Sequence, residues 1–90
     1  MKEPLTRERA EILALEALAW LAGQPDAVAK FLTLSGLEPS DLRRAVGDIG
    51  LQGSVLDFLL ADENLLLDFC QSASLKPQAV HTARHRLETR

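Results

Sequence analysis

Near the C-terminus, the segment "HTARHRLE" contains the one constellation of residue types suited to chemistry. His81, His85 and Glu88 stand at i, i+4 and i+7, so a helix carries them along one side. Two imidazoles at that spacing can hold Zn²⁺, with Glu88 or an external ligand completing the shell. Val80, Ala83 and Leu87, however, supply the apolar stripe of the same helix and leave the two histidines and Glu88 on its wet flank. Structural zinc usually takes four ligands, and the chain offers no convincing fourth, so no metal site is expected. No Gly-rich phosphate loop, paired-cysteine motif or nucleophile elbow is present. Asp57, Asp62, Glu63 and Asp68 read as caps and solvated faces, not as an acid/base pair held in a cleft. The chain is therefore expected to be no enzyme, with no catalytic residue and no cofactor.

A second chemistry is nucleic-acid recognition. The stretch "LLLDFCQSASLKPQAVHTARHRL", within residues 63–88, has the form of a helix, a short turn and a second helix starting at Pro77, anchored by Phe69, Leu75, Val80 and Ala83. In a helix-turn-helix arrangement Lys76, Gln78, His81 and Thr82 would face the major groove, with Arg84 or Arg86 on phosphate. The net charge of −3, the acidic preceding helix and Ser74 in place of a turn glycine weigh against it. DNA or RNA binding is accordingly the alternative to a protein-interaction role.

The elements that must position these residues are legible from periodicity and punctuation. Thr6 suits an N-cap, and Ile12, Leu15, Ala19 and Ala22, widened by Leu18 and Leu21, predict the buried stripe of a first helix ended by Gly23. Pro25 and Asp26 start a second helix, with Val28, Phe31 and Leu32 inward and Gly36 as its stop. Pro39 opens a short third helix with Leu42 and Val46 inward, and Gly47, Gly50 and Gly53 predict a hinge over 47–53.

A shift of 38 residues lays the second half on the first. Leu18 falls on Leu56, Trp20 on Phe58, Phe31 on Phe69, Leu37 on Leu75 and Pro39 on Pro77. The prediction is a single all-α domain over 1–90, a bundle of about six short helices in two related three-helix halves, about 7–46 and 51–88, with 1–5 and 89–90 frayed. Trp20 with Phe58 and Phe31 with Phe69 are assigned to the core, and Cys70, aligned with Leu32, to a buried small hydrophobe. Leu65, Leu66 and Leu67 cannot all face one side of a helix, so at least one is either central in the core or exposed on a partner surface.

Charge and cysteine usage narrow the setting. Residues 46–75 carry five acids and no Lys or Arg, whereas Lys76, Arg84, Arg86 and Arg90 follow against Glu88, so the basic last helix is expected to lie near the acidic segment. A lone Cys70 permits no internal disulfide and suits a reducing compartment. The start "MKEPLTRERAE" is too acidic for a signal peptide, and the run Ile12 to Ala22 is too short to span a bilayer. A cytoplasmic protein that does not engage a membrane is expected.

The pieces "FLTLSGLEPSDLR" and "VLDFLLADE", within a resemblance running from Leu18 through Leu87, resemble a family of small alphaproteobacterial proteins known as a domain of unknown function, DUF3572. The resemblance implies a compact all-helical bacterial protein and carries no activity, cofactor or site residue to individual positions. With no catalytic equipment and abundant apolar residues, the expected role is protein–protein interaction or self-association. Its anchors would come from Leu65–Leu67 or from a groove between the halves, with a charged rim.

Overall fold

The computed structural model describes residues 5–88, in which every regular element is helical: α1 (Arg7–Ala22), α2 (Pro25–Ser35), a 3₁₀ segment (Pro39–Gly47), α3 (Ile49–Leu60), α4 (Glu63–Ala73) and α5 (Pro77–Glu88). The all-α expectation thus holds, with no strand among the described residues. Side-chain caps set the starts. Thr6 Oγ1 accepts from the Arg9 amide at 3.1 Å, Asp48 Oδ1 from Leu51 at 3.0 Å, and Asp62 Oδ1 from Leu65 at 3.2 Å. Two left-handed residues, Gly36 (φ 73°) and Ser74 (φ 57°), end α2 and α4. At each corner the following amide turns back, Leu37 to the Leu32 carbonyl at 3.2 Å and Leu75 to that of Cys70 at 2.8 Å.

The core lies between α1, α3 and α5, which pack on one another; α2 leans on α1 and α3, α4 on α3 and α5, and the 3₁₀ segment on α3. Burial follows one continuous stripe on α1, namely Ala10, Leu13, Ala14, Ala17, Leu18 and Leu21. Three alanines in that stripe let the neighbouring helices approach closely. Opposite them stand Leu51, Val55, Leu56 and Leu59 of α3 and Val80, Ala83 and Leu87 of α5. Two ring pairs tie the halves together: Trp20 of α1 with Phe69 of α4, centroids 5.7 Å apart, and Phe31 of α2 with Phe58 of α3 at 5.3 Å in an edge-to-face contact. The 38-residue shift exchanges these two pairs, and it carries the bounds of α2 onto those of α4. It does not preserve helix type, because the 3₁₀ segment falls on α5.

Several expectations are corrected. The buried face of α1 is rotated from the predicted stripe: Ile12, Ala19 and Ala22 are exposed and Leu15 is half-buried. Alanines and leucines surround α1, so periodicity left the face ambiguous, and the alanine-rich side won because it admits the closest packing. Pro39–Gly47 is 3₁₀, not α; Ala45 is its buried residue, Leu42 is half-buried and Val46 is 72% exposed. The hinge over 47–53 is absent: α3 begins at Ile49 and holds Gly50 and Gly53 inside it. Leu5, expected to fray, packs against the core, while residues 1–4 and 89–90 lie outside the described residues. Among the described residues, no helix is long and apolar enough to cross a membrane.

Candidate functional site

Helix α5 presents its apolar stripe to the core and its polar residues outward, as its sequence requires. His81, His85 and Glu88 are all exposed on its outer flank. Among the described residues, no three His, Cys, Asp or Glu side chains converge as metal ligands. Gln78, His81 and Thr82 line a shallow groove of 350 Å³ with His85 and Arg86, whereas Lys76, Gln78 and Thr82 line a second groove of 410 Å³ at the α4–α5 corner with Leu5, Ser74, Leu75 and Ala79. Four of the five candidate nucleic-acid contacts therefore share one side of the molecule. Ser74 occupies the left-handed conformation of the glycine it replaces, so the corner itself is well formed.

Arg84 is the exception. Its Nε lies 2.7 Å from Asp57 Oδ1 and its Nη2 3.2 Å from Oδ2, a bidentate pair joining α5 to α3. That hydrogen bonding raises the guanidinium pKa above its ordinary value, and the partial burial of the side chain opposes it only in part. Gly53 lets the guanidinium lie close against α3: a Cβ there would lie 3.2 Å from Arg84 Cζ. The juxtaposition of basic helix and acidic segment thus takes a definite form, and it removes Arg84 from the residues available to phosphate.

The leucine run divides three ways. Leu66 is buried at 6% exposure, Leu65 is half-buried, and Leu67 is 46% exposed. The run thus divides between core and surface: Leu66 belongs to the core, and Leu67 alone of the three is exposed. A further apolar surface lies between α2 and α3. There Phe31, Leu34, Ser35, Ser54, Asp57, Phe58 and Ala61 line an open groove of 320 Å³. Leu34 is 69% exposed at its edge, and the Phe31–Phe58 pair forms its floor. Sequence reasoning had placed a groove between the halves but had not singled out Leu34; its signal was a leucine off the inward stripe of α2.

Gln52, also missed, is the one buried polar side chain among the described residues. Its Nε2 donates to the Ala45 carbonyl at 2.6 Å and, at 3.4 Å, to that of Val46, fastening the end of the 3₁₀ segment to α3, while Oε1 has no partner. Cys70 is buried as expected, and its desolvation pushes the thiol pKa up, away from reactivity.

These features define a small all-α protein whose helices meet at two left-handed corners and leave an apolar groove open between them. The chain belongs to the family described as "Protein of unknown function (DUF3572)", which matches residues 7–90. Neither the curated proteins nor the solved structures provide a match.

Proposed function

We propose that the protein is a non-enzymatic interaction module that receives an apolar-faced helix of a partner protein in the groove between α2 and α3. The observation that carries this reading is Leu34, 69% exposed beside the Phe31–Phe58 pair. An aromatic floor with an accessible aliphatic edge is the chemistry of a binding hot spot, and a groove between two helices accepts a third through anchors at i, i+3 and i+4. The lone buried thiol suits work in the cytoplasm. Panning a display library of helical peptides tests the reading without presuming their charge. Enriched peptides should carry spaced apolar anchors and lose binding to Leu34→Asp, a change at an exposed position that leaves the helical circular dichroism intact. Enriched peptides that bind Leu34→Asp as well as the parent would contradict it.

A second reading rests on the α4–α5 corner, where Lys76, Gln78, His81 and Thr82 share one side. It requires binding to duplex DNA or structured RNA that weakens steeply with salt and is lost on Lys76→Ala. Arg84, held on Asp57, and the acids of α4 oppose it.

A further inference from the structure

We infer that the helix received by the α2–α3 groove is a basic one, with Lys or Arg flanking its apolar anchors; this rests on the groove being the binding site. Two helix C-termini converge at the groove, since α2 ends at Ser35 and α3 at Leu60, and Ser35 and Ala61 both line it. A helix end of this kind carries partial negative charge on its last carbonyls, usually balanced by a basic residue in the last turn. Neither helix has one. Arg84 takes up the charge of Asp57, so the rim ion pair lends no positive charge to those ends, whose carbonyls meet neutral donors: the Ser35 hydroxyl and the Gly36 and Leu37 amides on α2, and the Ala61 and Asp62 amides on α3. Glu63, exposed two residues beyond Ala61, adds to the same sign, while the Asp62 carboxylate is engaged in capping α4. A cationic side chain beside an apolar anchor would meet these carbonyls while the anchor covers Leu34 and Phe58. An acidic helix of the same apolar spacing would bring its charge against them.

The test uses two model helices with identical leucine spacing, one with lysine and one with glutamate on the polar face, titrated into the ¹⁵N-labelled full chain. The lysine-faced peptide should shift the amides of Leu34, Ser35, Ser54 and Ala61 and bind at least about tenfold more tightly at low salt, with the ratio shrinking at high salt. Thr33→Lys, in the last turn of α2 but outside the groove lining, should reduce that preference by supplying the missing positive charge. Equal affinity of the two peptides at the same amides overturns the inference and leaves the groove standing. Shifts confined to residues outside the groove overturn both.

Discussion

The guanidinium of Arg84 grips both carboxylate oxygens of Asp57, at 2.7 and 3.2 Å, and lies over Gly53 one turn earlier on α3. The contact couples α5 to α3 across the surface of the core. Arg84 and Asp57 side chains are 29% and 58% exposed, so solvent screens the pair and its worth is about 0.5–1 kcal/mol. A double-mutant cycle with Arg84→Met and Asp57→Asn, read by urea unfolding, should return a coupling of that size.

Gly53 gives a sharper version of the same relationship. Alanine in mid-helix is favoured over glycine by about 1 kcal/mol, but here its Cβ would press on the Arg84 guanidinium at 3.2 Å. Gly53→Ala should therefore weaken the Arg84–Asp57 coupling and gain less than that in the parent protein. In an Arg84→Ala background it should stabilise by about 1 kcal/mol, the intrinsic preference no longer opposed.

The two corners respond oppositely to substitution. Gly36 and Ser74 both sit at positive φ, which suits glycine and strains serine. Gly36→Ala should cost about 1 kcal/mol although open space surrounds the new Cβ, whereas Ser74→Gly should gain about 0.5 kcal/mol. Thermal unfolding of the pair checks both signs at once.

The equivalence of these corners was legible from Leu37, Pro39, Leu75 and Pro77, because prolines and helix stops act locally. The rotation of α1 was not, since a helix with apolar residues on every side records no single face; Ile12 and Leu13 differ in burial only because α3 and α5 choose the alanines. The 3₁₀ character of Pro39–Gly47 was hidden for the opposite reason: its nine residues bury only Ala45, too little to impose an α-helical stripe. Of the candidate site, a groove between helices was one of two expected anchor surfaces, while Leu34 as its edge depended on how far α2 sits from α3.

Gln52 holds the 3₁₀ segment through two carbonyls and leaves Oε1 unpaired. Gln52→Glu would replace the donor amide with a buried carboxyl that must take up a proton to face carbonyl oxygens, and should cost more than Gln52→Leu at pH 7. The introduced carboxyl is held neutral in the folded state, so its folded pKa lies above its unfolded one, and stability is lost as pH rises. The deficit of Gln52→Glu relative to Gln52→Leu should consequently shrink below about pH 4, where the acid is protonated in both states.

Cys70 sets a pH limit of its own. Burial raises its folded pKa, so the stability it contributes is fully present below the unfolded thiol value of about 8.5 and falls as pH rises through the folded one. Unfolding between pH 7 and pH 10 should show a steeper loss for the parent chain than for Cys70→Ala. Alkylation of the native thiol should be slow at pH 7 and accelerate with denaturant.

The central claim concerns what lies on Phe31, Leu34 and Phe58. Isotope-filtered nuclear Overhauser spectra of the labelled protein with the unlabelled lysine-faced helix measure that contact directly. The account predicts cross-peaks from the peptide leucine methyls to the rings of Phe31 and Phe58 and to the Leu34 methyls. Cross-peaks confined to the outer face of α5, at His81 and Thr82, would contradict it.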